Sequence, residues 1–404
     1  MNLRLPKARW ASALLSAAIV LGTGGVAGAV TNTANTANAA VSANTANTAN
    51  TATVVSAANT VPAGSAKPPV GGVERLIPFP DATWTQRALI SPDGRRAYVG
   101  EETRSGSRLD VVDTRTGAFL AQVPTGTDFW SGPKALAPDG KLLYLITQGT
   151  LNVFDTGTNT LRASVPVPDQ PRPAGWTAGS PYGLAVSPDG ATVYLGQSGP
   201  YLDSVPNPSF LPGRLLTFSA PGTAFTGDVP LPTTSPREIV VRPDGTTAYL
   251  SSPDGLIRVD LTGPRPAVVR TITAPGFIDE LALAPNGTRL YALTRPDGRV
   301  QVIDLTTDSL AATIDLDTGM RQIPGFALSP RGDRLYVLED TDLPSPTVAA
   351  YDTATNRPVP RENFAEFDLE HGSNLTVGPD GHTFYVTGNN YTDNPGTFLQ
   401  IVSF

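Results

Sequence analysis

Apolar runs alternate with polar punctuation along most of this chain. Within a run, hydrophobic residues either alternate with polar ones or form a short solid block, the two patterns of strands buried on one face or on both. Between runs one phrase recurs: an apolar strand, a Pro-Asp-Gly turn, and a returning strand with tyrosine five residues after the turn's central residue. Seven segments obey it: SPDGRRAYV, APDGKLLYL, SPDGATVYL, RPDGTTAYL, APNGTRLYA, SPRGDRLYV and GPDGHTFYV. Their tyrosines are Tyr98, Tyr144, Tyr194, Tyr249, Tyr291, Tyr336 and Tyr385, spaced by 46, 50, 55, 42, 45 and 49 residues. Loops of different length therefore join units of one design. Proline fixes φ and glycine accepts a positive one, which suits both to tight reversals. The second unit reads as four strands: KALA before the turn, LLYLIT after it, then TLNVFDT, then TLRASVPV beyond a turn at Gly157-Thr158-Asn159.

A four-stranded unit has two apolar faces and cannot bury both alone, so neighbouring units must stack. Radial stacking predicts an all-β chain folded as a seven-bladed β-propeller of four-stranded antiparallel blades. The last unit, NLTVG, HTFYVTG and TFLQIVSF, is one strand short. The orphan strand VERLIPF, residues 73–79, is expected to complete it, pairing the two ends of the domain and hiding both sheet edges.

Composition divides the chain into three. Arg4, Lys7 and Arg9 precede the apolar ASALLSAAIVL and the small-residue run GTGGVAGAV, the order of a signal peptide over residues 1–29 with cleavage after Ala29. The apolar stretch is short and glycine-rich, so no integral membrane span is expected in the mature chain. Residues 30–72 repeat Thr-Ala-Asn, and no charged side chain lies between Arg9 and Lys67; such a segment cannot build a core and reads as a disordered spacer. Residues 73–404 are the propeller, and the expected location is secreted, extracellular or cell-surface. Removing residues 1–29 takes away three basic residues and moves the net charge from -7 to -10, which makes nucleic acid a poor partner. Cysteine is absent, which excludes disulfides, thiolate metal sites and a cysteine nucleophile. The two histidines, His371 and His382, are too few for a three-histidine zinc site, and neither a metal nor another cofactor is expected.

Several units pair an aromatic strand with a later strand ending in aspartate: AYVGEE with LDVVDTRTG, LYLITQ with LNVFDTGTN, LYALTR with VQVIDLTTD, and LYVLED with VAAYDTATN. This resembles the YVTN-repeat β-propellers, whose blades pair an aromatic-valine strand with one ending in an aspartate-threonine turn. The aspartates are Asp113, Asp155, Asp304 and Asp352, with Asp260 a looser match, while the third unit, LLTFSAPG, departs from the pattern. The resemblance covers residues 73–404 and implies a scaffold, in a group of proteins often exported, rather than an activity. Because the aspartates recur unit after unit, they are expected to cap turns.

In a propeller the residues entering each innermost strand ring the central channel. Seven and six positions before the centre of the turns lie Gln86 and Arg87, Gly132 and Pro133, Tyr182 and Gly183, Arg237 and Glu238, Asp279 and Glu280, Pro324 and Gly325, and Ser373 and Asn374. With their aromatic and histidine neighbours they yield a candidate ligand-binding set on the channel face: Arg87, Trp130, Tyr182, Arg237, Glu238, Asp279, Glu280, His371 and Asn374. The competing reading makes the charges ion pairs that close the channel. The favoured function is an interaction module that binds an unidentified ligand, a cell-wall component or a protein partner. The alternative is a secreted, lactonase-like hydrolase or lyase acting on a sugar, lactone or peptide-like ligand through channel carboxylates and arginines. No G-x-S-x-G elbow is present and no catalytic residue stands out. Binding predicts a broad exposed aromatic patch, whereas catalysis predicts a concave channel in which Asp279 or Glu280 is perturbed beside an arginine.

Overall fold

The seven Pro-Asp-Gly segments each close a tight hairpin, and around each hairpin the chain builds an antiparallel sheet. A computed structural model describes residues 75–126, 132–203, 208–295, 298–316, 322–340, 345–359, 367–392 and 395–403. The signal peptide and spacer expected over residues 1–72 lie outside the described residues, as does Trp130. The described residues are all-β, and none of their segments is a helix long and apolar enough to cross a membrane.

Seven four-stranded sheets are arranged as the blades of a propeller. Blade 2 carries Lys134–Leu136 innermost, then Leu142–Thr147, Thr150–Asp155 and Thr160–Pro166, each paired with the next in chain order. Its second and third strands are almost wholly buried, while the outermost alternates between exposed and half-buried positions. That gradient is why the middle runs are solidly apolar and the last run is mixed. In blade 7, His371–Val377, Thr383–Asn390 and Gly396–Ser403 pair in order, and Arg75–Phe79 lies antiparallel to Gly396–Ser403, with Arg75 opposite Ile401 and Phe79 opposite Thr397. Blade 3 is lengthened by a hairpin, Tyr201–Leu202 with Ser209–Phe210, inserted between its second and third strands, which accounts for the 55-residue spacing.

The core is divided among the seams between blades. Each of the seven repeat tyrosines is at most 7% exposed and belongs to a different buried cluster. Tyr385 shares its cluster with Ile77 and Phe79 and with Ala88, Ala97 and Val99 of blade 1, so blades 7 and 1 are joined by the same kind of packing as the rest. A flat unit thus becomes stable by lending its tyrosine to the next.

The turns form a second ring. Every turn glycine faces the proline ring of the preceding blade's turn: Gly94 on Pro379, Gly140 on Pro92, Gly190 on Pro138, Gly245 on Pro188, Gly287 on Pro243, Gly332 on Pro285, and Gly381 on Pro330. The aspartates cap the following reversals. Asp113 Oδ1 accepts the Thr116 N–H at 2.7 Å, Asp155 those of Gly157 and Thr158 at 2.9 Å, and Asp304 that of Thr306 at 2.7 Å. The next threonine ties the two turns of a blade together: Thr114 Oγ1 donates to the Gly94 carbonyl, Thr156 to Gly140 and Thr353 to Gly332, at 2.6, 2.6 and 2.7 Å. One end of the propeller, the turn face, is therefore uniform. The loops between second and third strands, and those that carry the chain to the next blade, vary and form the opposite mouth face.

Candidate functional site

Each innermost strand holds one residue more than its partner strand can pair, and the extra residue falls at the mouth. The register slips between Pro181 and Gly183, Ile278 and Glu280, Gln322 and Gly325, and Gly372 and Asn374. Such bulges kink a strand and re-aim its side chains. In blades 1, 2 and 4 the same offset appears in the backbone bonds: Gln86 N–H donates to Gly100 O, Gly132 N–H to Ile146 O, and Arg237 N–H to Ser251 O. Around the ring, then, the residue seven before the turn centre leaves the ladder and the residue after it re-enters, so side chains that a regular strand would turn into a seam meet in the channel.

Arg87 is the hub of what they form. Its Nη2 donates to Glu280 Oε2 across the channel from blade 1 to blade 5, and its Nη1 lies 3.8 Å from Glu238 Oε1 of blade 4. Gly325 of blade 6 borders the guanidinium: a Cβ there would lie in ordinary contact with Arg87 Nη2 at 3.7 Å but within 3.2 Å of the Leu375 nitrogen and 3.5 Å of the Asn374 Cα. Glu238 is anchored in turn by the Leu281 N–H. Beside this cluster Arg237 sits 3.6 Å from Asp279 and stacks on Phe277, with its guanidinium carbon 4.6 Å from the ring centre and 5.9 Å from that of Tyr182. Adjacent Asp279 and Glu280 thus serve different arginines. Among the described residues no group of three or more acidic or histidine side chains is placed to hold a metal ion.

The electrostatics follow from crowding. Burial disfavours the Arg87 charge, but Glu280, Glu238 and Asp279 outweigh it and hold the guanidinium above its ordinary value. Glu238 presents 31% of its side chain to the channel, while its carboxylate is held beside Arg87 and the Leu281 N–H. Burial raises its carboxyl to about 7, with Arg87 opposing the rise and Glu280 adding to it. Lys134 of blade 2 donates to Gln86 Oε1 at 2.9 Å and is lowered to about 7 by burial and by the Arg87 charge.

Of the predicted residues, Arg87, Glu238 and Glu280 meet directly, Arg237, Asp279 and Tyr182 form an adjoining group, and Asn374 lies beside Gly325. His371 stands apart: its Nδ1 lies 3.1 Å from Asp340 Oδ2 and its ring packs 5.6 Å from that of Tyr391. Lys134 is a channel residue that the sequence pattern hides, since it stands five before the turn centre, inside a segment that reads as plain strand. A recess of about 500 Å³ lies elsewhere, on the turn face between blades 1 and 7 beside Arg75 and Pro379. It is lined by turn and strand-end residues of those two blades and touches none of the channel charges.

The mouth around the channel is aromatic. Four large aromatic side chains among the described residues are exposed: Trp84, Tyr182, Phe210 and Tyr391. Trp84 lies on the segment entering blade 1, Tyr182 on a bulge, Phe210 on the inserted hairpin, and Tyr391 just past the second strand of blade 7, so all four share the mouth face. Exposed Leu161, Val269 and Leu310, by contrast, lie on outermost strands. No family model and no curated protein matches this chain.

Proposed function

We propose that the protein is an exported interaction module whose mouth face captures a macromolecular partner, a cell-wall component or another protein. The observation that carries this reading is the confinement of the exposed aromatic side chains to one face, with none on the turn face among the described residues. Exposed aromatic clusters on an otherwise polar surface mark contact surfaces, and rigid rings supply contact area at low entropic cost. The ionic network supports the same reading, because Arg87 engages Glu238 and Glu280 across the channel and leaves recognition to the rim. The export step rests on the order of charges and apolar residues over 1–29. Likeness to the YVTN-repeat propellers rests on the aspartate-capped turns and the threonine bond behind them.

A second reading, a lactonase-like enzyme, draws on Glu238 and Lys134, both shifted to about 7 at one channel. Acid and base groups poised near neutrality are what proton transfer needs. One experiment separates the two. The chain recovered from culture medium is tested for binding to isolated cell-wall material and to surface proteins, beside variants Trp84→Ala and Tyr182→Ala and the turn-face control Arg331→Ala. The interaction reading expects each mouth variant to weaken binding by about tenfold, the loss of about 1.4 kcal/mol, with the control unchanged. Binding of a small lactone or sugar that Glu238→Gln abolishes, with the mouth variants neutral, would instead establish the enzyme reading.

A further inference from the structure

We propose that Lys134 is a nucleophilic amine that captures small aldehydes entering the channel, holding them as an imine. The register of the innermost strands singles it out. Lys134 pairs with Leu145, the residue after the repeat tyrosine. The residues in that register in blades 3 to 7 are Leu184, Ile239, Leu281, Phe326 and Leu375, and blade 1 places Ala88 there; all six are buried. One blade of seven therefore sets an amine at a position that the other six fill with an apolar side chain packed into a seam.

Its surroundings leave that amine without a counter-charge. Nζ donates to the neutral Gln86 Oε1, and among the described residues no carboxylate lies within ion-pairing reach of it. The carboxylates of the channel are engaged elsewhere: Glu280 and Glu238 by Arg87, and Asp279 by Arg237. The charged or titratable groups of the ring are Arg87 from blade 1, Tyr182 from blade 3, Arg237 and Glu238 from blade 4, and Asp279 and Glu280 from blade 5. Arg87 is the one whose field acts on Lys134, and it acts against the protonated form. Lys134 is half-buried rather than sealed into a seam, which leaves an approach open to a small molecule.

The chemistry balances without an oxidant or reductant. The nitrogen lone pair attacks the aldehyde carbon, the carbonyl oxygen leaves as water with two protons from the amine, and a C=N bond replaces C=O. No partner at the mouth is needed. An uncharged aldehyde suits the site, because the neighbouring arginines are already neutralised.

Lysine is scarce enough to make the test direct, since only Lys7, Lys67, Lys134 and Lys141 occur in the chain. Lys141 is the internal reference: it lies on a turn, 81% exposed. The native full-length chain is treated with limiting propionaldehyde and sodium cyanoborohydride from pH 5.5 to 9, and alkylation is mapped by peptide mass spectrometry. The expected result at pH 7 is alkylation of Lys134 at least tenfold faster than of Lys141, with the ratio falling as pH rises. Equal or slower alkylation of Lys134 at pH 7, or none, would overturn the proposal and leave it as a donor that positions Gln86. The comparison uses the unaltered protein, so the outcome does not depend on a variant's folding.

Discussion

Glu101 and Asp110 lie on neighbouring strands of blade 1, both with fully buried side chains, and share one cation. Arg108 Nη2 is 2.8 Å from Glu101 and its Nε 2.9 Å from Asp110, while Gln122 donates to Asp110 at 2.9 Å. Burial first, and the Asp110 charge second, raise Glu101 to about 10 against the pull of Arg108. A glutamate in an unfolded chain ionises near ~4.3. Between that value and about 10 the unfolded form therefore binds fewer protons than the folded one, and stability falls as pH rises; above about 10 this group adds no slope. Glu101→Gln should remove this group's share of the slope. Its melting temperature relative to the unaltered protein is expected to climb steadily from pH 5 to pH 9, driven by at most about 1.4 kcal/mol per pH unit. A constant difference across that range would show that Glu101 is ionised in the fold. At this scale the chain was only partly legible. Arg87, Glu238 and Glu280 could be found because they sit at a fixed distance from a turn. Lys134 was missed although aligning the repeats sets it against Ala88, Leu184 and Ile239. Glu101 gave no signal, since its partners lie across the sheet and Glu101-Glu102 reads as an exposed strand end.

Blades were the most legible elements, because the tyrosine, the turn and the capping aspartate each answer to local geometry. Bulges were not, since an extra residue is defined only by its pairing partner on another strand. The turn ring allows a sharp comparison. Gly140 has φ +71° and a Cβ there would lie 2.6 Å from Pro92 Cδ; Gly190 has φ +74° but its Cβ would lie 3.9 Å from Pro138 Cδ. Replacement by alanine should cost each turn about 1 kcal/mol for the left-handed backbone. Only Gly140→Ala adds a clash with the preceding blade, so it is expected to lower the midpoint of thermal unfolding further than Gly190→Ala does. Equal losses would mean that Pro92 can move away and that the ring of turns is compliant.

The molecule as a whole depends on the seam where its two ends meet. Ile77 and Phe79 fill the core between blades 7 and 1, and their strand covers the edge of Gly396–Ser403. A chain starting at Pro80 should lose about 3–5 kcal/mol for the phenylalanine alone and expose an unpaired edge that seeks another copy. Size-exclusion chromatography should then report a larger species than the unaltered protein, together with a lower melting temperature; an unchanged elution volume would show that blade 7 stands on three strands. The seven-part plan was readable from spacing, whereas the contrast between a uniform face and a variable one emerged only once the loops were sorted by end. Arg75 enters on the uniform face, its guanidinium reaching the Thr116 carbonyl there, and the outer strand then runs toward the mouth. Arg75 and the aromatic rim therefore lie at opposite ends of the blades, so a label coupled at Arg75 marks the face that the binding experiment does not read.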